Sequence, residues 1–356
     1  MTYLRNAWYV AAWADELERG KLLARTILGD PIVFFRDGES IHALHDRCPH
    51  RFAPLSLGTF DGKAIECGYH GLKFGGSGAC LENPHGPLVK ALCVRTYPAV
   101  EAHRALWIWM GNPDRAKPET IPDFSFLTSV PDSAFNKGYI HGAGNYQLYI
   151  DNLLDLSHTD YLHKSSLGGG SMTRTSPKVS ERPDGVVAVG WYAKNEVPMP
   201  FMVQTYPGQL DRVDSYIEVE WTAPSLIMLA NGFTPAGQPI TQGLTNKATH
   251  FLTPETPNST HYFFAGIRDY QVDDVDFNRM ILEQRTHTFA AEDEPMIAAQ
   301  QARMGEADLW SLRPVLLNID KAGVLVRRRV ESMIAAESDP SNQNRDAKVP
   351  ATSDIS

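Results

Sequence analysis

Early in the chain, two short runs pair a thiol with an imidazole: Cys48-Pro-His50 and, after 16 intervening residues, Cys67-Gly-Tyr-His70. Each run puts both donors on one short loop, and two such loops can close on a single metal centre. Cysteine and histidine in equal number would also suit zinc. Zinc ribbons and fingers, however, present paired cysteines or paired histidines rather than two Cys-then-His runs. Two thiolates on one iron and two neutral imidazoles on the other hold a [2Fe–2S] cluster, at a potential well above that of an all-thiolate ferredoxin. Pro49 and Gly71 suit tight loops whose N–H groups can point at the cluster sulfurs. Cys80 and Cys93 have no partner pattern and read as buried small hydrophobes.

The stretches CPHRFAPLSLG, from Cys48, and CGYHGLKFGGSGAC, from Cys67, resemble the Rieske domain of ring-hydroxylating and O-demethylating oxygenases. That resemblance implies a second, mononuclear Fe(II) site. The segment Asp151-Asn-Leu-Leu-Asp155-Leu-Ser-His158-Thr-Asp-Tyr-Leu-His163 matches the family's iron motif. Two histidines and one carboxylate on one face of iron leave positions open for O2 and substrate. His158 and His163 are five residues apart, which on a regular helix turns them by about 140°, so a π-bulge or a helix break is expected between them. Asp155, three residues before His158, can accept a hydrogen bond from that ring's far nitrogen. The third ligand must come from far along the chain. Glu292-Asp293-Glu294 offers three carboxylates, among which spacing cannot choose; the resemblance places the ligand at Asp293. It also implies that Asp155 bridges to a cluster histidine, His70, of a neighbouring subunit, that the assembly is a C3 homotrimer, and that Asn152 lies near the iron without being a ligand.

The likeness to vanillate- and dicamba-type O-demethylase oxygenase subunits runs from RNAWYVAA at the start, through LTPET and HYFF, to LNIDKAGVLVRRRVE near the end. It implies insertion of one oxygen atom at an aryl O-methyl group of a small aromatic substrate, giving a hemiacetal that collapses to a phenol and formaldehyde. Electrons would come from NADH through a separate flavin/iron–sulfur reductase or a ferredoxin. Asn231 and His250 match substrate-holding positions of this branch, whereas its pocket tryptophan is replaced by Gln284. The branch also contains N-dealkylases and sulfonate methyl-hydroxylases, which would share the mechanism. A different class of reading is a Rieske electron carrier, or a non-enzymatic iron protein that binds a ligand without oxidising it.

Elements must position these groups. Up to about residue 110 the chain reads as short strands broken by turns: Pro31–Phe35 and Ile41–Leu44 flank the hairpin signal Asp37-Gly38, and Ala105–Trp109 stops at Gly111-Asn112-Pro113. Residues 113–122 read as a linker. Apolar spacing then predicts a helix over 145–163, ended by the mobile loop Gly168-Gly169-Gly170. Strands follow at 186–189, 215–221, 226–229, 249–252 and 261–264, then helices over 272–304 and 324–336. The expected fold is α+β, with an all-β Rieske domain (1–115), a catalytic domain with an antiparallel sheet and flanking helices (116–340), and a disordered tail (341–356).

Bulk properties agree. A chain of 356 residues, 43% hydrophobic and 21% charged, is an ordinary globular composition. A net charge of -9 argues against a nucleic-acid partner, and Arg327-Arg328-Arg329 reads as a solvated helix face. No apolar run is long enough to span a membrane. The N-terminus reads as a first strand rather than a signal peptide, so a cytoplasmic location is expected.

Overall fold

The computed structural model describes residues 3–164, 167, 168 and 171–339. Gly169, Gly170 and the tail from Ser341 therefore lie outside the described residues. Apolar alternation and turn residues in the first third produce three small antiparallel sheets. The strand Trp8–Trp13, buried at every position, pairs with Ala105–Trp109. Strands Asp30–Asp37 and Ser40–His45 form the hairpin expected at Asp37-Gly38, with Gly38 at φ 59°. A last sheet is built from Thr59–Phe60, Ala64–Glu66, Lys73–Gly75 and Cys80–Glu82. Cys80 is buried as expected, but Cys93 is exposed. It sits beside Val94, whose side chain takes the inward position instead.

The second part is a seven-stranded antiparallel sheet. Its strands are β1 (Phe135–Gly142), β2 (Lys178–Glu181), β3 (Val187–Glu196), β4 (Val213–Thr222), β5 (Leu226–Pro235), β6 (Leu244–Thr256) and β7 (Ser259–Arg268), in the spatial order β1-β7-β6-β5-β4-β3-β2. Two of these, β1 and β2, were not expected; β2 is polar and mostly exposed, with little apolar signal. Helices α1 (Tyr146–Leu154), α2 (Thr159–Leu162), α3 (Pro200–Thr205), α4 (Val275–His287), α5 (Glu294–Met304) and α6 (Lys321–Ser338) flank the sheet.

An aromatic core joins the two parts. Trp8, Trp13 and Trp107 from the first sheet pack with Phe124, Phe251 and Phe263. Residues 113–122 are not a free linker. They form two 3-10 turns pinned to the first strand by Trp8 Nε1, which donates to the Lys117 carbonyl at 3.1 Å. Arg327 is not solvated either. It is 4% exposed on α6 and clasps Asp151 of α1 through Nε and Nη2, at 2.9 and 2.6 Å. Burial raises the Asp151 carboxyl pKa even though Arg327 opposes the effect.

Candidate active site

The two cysteine loops are built alike. In each, the cysteine N–H donates to the carbonyl five residues on, Cys48 to Ala53 and Cys67 to Leu72, both at 2.8 Å. The N–H four residues on returns to the cysteine carbonyl, from Phe52 at 2.9 Å and from Gly71 at 3.0 Å. That closing residue has positive φ in both loops, 63° at Phe52 and 72° at Gly71. Glycine adopts this conformation freely; phenylalanine does so only because the loop holds it. Both thiols are buried. The rings of His50 and His70 meet toward the surface, with centroids 4.5 Å apart. Burial pushes the Cys48 thiol up, and main-chain N–H groups of His50 and Arg51 aimed at its sulfur oppose that shift. Two thiols inside, two imidazoles outside and N–H donors at sulfur are the donor set a Rieske cluster requires.

Away from these loops, the ligand atoms of His158, His163 and Asp293 lie within 4.8 Å of one another. Helix α1 ends at Leu154, and Asp155 leaves helical geometry at φ -121°, ψ 98°. One 3-10 turn, Leu156–His158, leads into α2, and His163 sits just past its end with non-helical angles. The distortion expected between the histidines is not there: Thr159–Leu162 is helical, His163 leaves helical angles just past it, and the break falls earlier, at Asp155. This moves Asp155 off the face assumed for it. Its carboxylate caps the new turn, accepting from the Ser157 N–H at 2.9 Å, while its main-chain carbonyl accepts from His158 Nδ1. The carboxylate contact with His158 expected from the sequence is therefore replaced by a backbone one.

The third group arrives on a π-helix, Thr288–Asp293, between α4 and α5. The wider turn presents the three successive carboxylates differently. Asp293 Oδ1 faces His163 Nε2 at 3.2 Å and His158 Nε2 at 3.5 Å. Glu292 accepts from His163 Nδ1 at 2.9 Å. Glu294 accepts from the Ala143 N–H at 2.8 Å. Both imidazoles thus give Nδ1–H to an oxygen, which fixes the tautomer and leaves the Nε2 lone pairs converging with Asp293. Burial works against the ionised Asp293, yet the His158 and His163 rings at its oxygen outweigh burial and hold the carboxyl at about 2. An ionised buried carboxylate beside two neutral nitrogens fits a divalent iron. Asn152 Nδ2 donates to the same Asp293 Oδ1 at 3.0 Å and lies 3.4 Å from His158 Nε2, so it orients the carboxylate beside the two rings.

The three groups open onto a cavity of about 250 Å³ with mainly apolar walls. Strand alternation delivers Leu229, Asn231 and Phe233 from β5, and Asn246, Ala248 and His250 from β6, to its lining. Asn231 Oδ1 accepts from its cross-strand partner Asn246 at 3.1 Å. His250 is 2% exposed and hydrogen-bonded through Nδ1 to the Tyr262 hydroxyl at 2.7 Å. Burial, helped by the Arg285 charge and opposed by Asp293, lowers its pKa to about 3, so the ring is neutral. Gln284 donates to Gln204 of α3 at 2.6 Å, while its own Oε1 is buried without a partner among the described residues. Sequence reasoning missed the roles of Asn246, Tyr262 and Arg285. The first two are placed by strand register and the third by the phase of α4, none of which a local motif encodes.

Residues 7–98 match the Rieske [2Fe-2S] domain, and residues 143–336 match the vanillate O-demethylase oxygenase C-terminal domain. The chain is 39% identical to the oxygenase component of chloroacetanilide N-alkylformylase from Rhizorhabdus wittichii, over 95% of this chain and 97% of that one. It is 36% identical to the oxygenase component of dicamba O-demethylase from Stenotrophomonas maltophilia, over 95% and 100%. The crystal structure of dicamba monooxygenase bound to 3,6 dichlorosalicylic acid superposes with a TM-score of 0.88 at 35% identity, covering 95% of this chain and 99% of that one. Two matched domains that together take in both metal-ligand constellations, and full-length relatives above 30% identity, make the chain a member of the Rieske non-haem iron oxygenases that carry the vanillate O-demethylase C-terminal domain.

Proposed function

We propose that this oxygenase component oxidatively dealkylates a small aromatic compound, with O-demethylation the leading reaction, or hydroxylates it. The observation that carries the reading is the His158, His163 and Asp293 set opening directly onto an apolar cavity. A carrier of electrons has no use for such a cavity. In this reading Cys48, His50, Cys67 and His70 hold the cluster and His158, His163 and Asp293 hold Fe(II), which supplies O2 activation when bound. The aryl methyl ether, O2, two electrons and two protons become a phenol, formaldehyde and water. The chain's own part is positional. Glu292 and the Asp155 carbonyl keep the imidazoles aimed, Asn152 orients Asp293, and the apolar walls exclude water around the reacting carbon. Asn231 and His250 hold the substrate by polar contacts at the sheet wall.

The electron donor in this reading is an NADH-dependent flavin/iron–sulfur reductase or a ferredoxin. The working unit is a C3 homotrimer in which Asp155 of one chain meets His70 of the next. Support comes from Phe52, Leu57 and Tyr69, large hydrophobic side chains exposed on or beside the cluster loops, and from Asp155, which retains partial exposure at the end of α1. The proposed division into a Rieske domain (1–115) and a catalytic domain (116–340) falls between the two family matches. Among the described residues no helix is long and apolar enough to cross a membrane; a cytoplasmic location is proposed. The test is O2 uptake with a surrogate reductase across aryl methyl ethers, N-alkyl anilides and aryl methyl compounds, with formaldehyde measured in parallel. Coupled O2 loss and formaldehyde release support demethylation. Reduction of the cluster with no substrate-dependent O2 loss on any compound would restore the carrier reading.

A further inference from the structure

The cavity takes in a cation that the reading above leaves unused. Arg285, on α4, lines it half-buried, and desolvation lowers its pKa to about 10. Among the described residues its one hydrogen-bond partner is Asn136 Oδ1, at 2.8 Å, and no carboxylate contributes to its environment. A neighbouring cation, the buried Arg268, is held otherwise, through its two Nη atoms by the Asn278 side chain and the carbonyls of Ser133, Gln271 and Asp274. It offers Arg285 no counter-charge. Buried charges are ordinarily paired, because desolvation without a partner is expensive.

The seat of this guanidinium is built. Asn136 lies opposite Gly266 in the β1–β7 pairing, and a Cβ at Gly266 would fall 1.6 Å from Arg285 Nη1. The Asn136 amide is fixed by donation to Asn278 Oδ1 at 3.2 Å, which turns its oxygen toward Arg285. With Nη1 committed there, the remaining N–H groups are free for a ligand. Asn231 presents a further donor. Its oxygen is taken by Asn246, whose own oxygen accepts from Tyr270 at 3.2 Å, so its NH2 group is left for the cavity.

We propose that Arg285 is the charge-selecting residue of this cavity, binding an oxyanion, a carboxylate or a sulfonate, carried on the ring of the aromatic substrate. Guanidinium donors match such groups in pairs and fix orientation as well as affinity. The held anion sets which ring substituent reaches His158, His163 and Asp293. The inference rests on the proposed aromatic substrate, but binding alone tests it, without turnover.

The experiment is calorimetric titration of anaerobic, metal-loaded protein with meta-methoxybenzoate, meta-methoxybenzenesulfonate and the neutral meta-methoxybenzamide. Wild type should bind at least one anion about tenfold or more tightly than the amide, and the two anions tell which oxyanion fits better. Arg285→Gln should weaken the anions by about tenfold to a hundredfold and leave the amide within about twofold, which also shows that the variant is folded. Arg285→Lys should fall between. Equal binding of all three probes by wild type, no binding of either anion, or an equal loss for anion and amide in Arg285→Gln would overturn the assignment. Anion-selective binding that yields no formaldehyde on aeration with a reductase would leave Arg285's role standing and count against the demethylase reading instead.

Discussion

Glu292, Asp293 and Glu294 are near-identical chemically, yet the backbone sends them to His163 Nδ1, to the two Nε2 atoms and to the Ala143 N–H. Glu292 acts through the ring it orients. Glu292→Gln should weaken iron binding about tenfold or more with the cluster's visible spectrum unchanged. Competition with a chelator measures this, and an unaltered affinity would dismiss the orienting role. His250 makes a separate prediction in stability. Burial holds the folded ring neutral down to about 3, whereas the unfolded ring protonates near the ordinary 6.5. Between those values the unfolded chain binds the extra proton, so this residue lowers stability as the pH falls, by up to ~1.4 kcal/mol per unit. His250→Gln should flatten the decline of the denaturant midpoint between about pH 6 and pH 5; parallel profiles would refute the assignment. The cysteine–histidine runs were legible in the sequence because each is local to one loop. The choice among three adjacent carboxylates was not, because it depends on backbone winding that side-chain types do not encode.

That winding belongs to the elements. The two histidines announce a distortion because their spacing does not fit one face of a regular helix, and the chain meets it at His163, which leaves helical geometry; the break at Asp155 precedes both rings. The π turn at Thr288–Asp293 gave no such signal. A single added residue changes the phase between α4 and α5 without disturbing the apolar spacing of either, so the segment reads as one helix. Deleting Ala290, an exposed residue of that turn, should restore α-helical winding and rotate one flank against the other by about 100°. Either Asp293 then leaves the imidazoles or Arg285 and Phe289 leave the cavity. The expected variant keeps its cluster and loses dealkylation. It also loses the mononuclear iron if α4 holds its packing through Ile281, a core residue. Full activity in the deletion variant would show that the π turn is incidental.

Across the whole molecule, what escaped the sequence is contact at long range. The tryptophans of the first sheet complete a core with Phe251 and Phe263, Arg327 reaches 176 residues back to Asp151, and the stretch read as a linker is pinned to the first strand. Periodicity can predict that a strand has a buried face, but not which distant element covers it. The same limit applies one level higher, to the pairing of a cluster with an iron site. The cluster rings lie at the surface with exposed Phe52, Leu57 and Tyr69 nearby, and Asp155 sits at the outer end of α1, its carboxylate holding one local bond to Ser157. If electrons pass between subunits, two defective chains can repair each other. Cys67→Ser removes the cluster and spares the iron site; His158→Ala does the reverse. Neither variant alone should turn over. Co-expressed in equal amounts and mixed at random in a cyclic trimer, about a quarter of adjacent pairs join an intact iron site to an intact neighbouring cluster, so about a quarter of wild-type activity should return. Adding Asp155→Asn to the chain with the intact iron site should abolish that recovery without changing the content of either metal. Electron transfer confined to one chain gives no recovery at any mixing ratio, because every chain then lacks one of its two centres. The ratio dependence, maximal at equal amounts and vanishing at either end, separates true complementation from contamination by wild type, which would scale with neither variant.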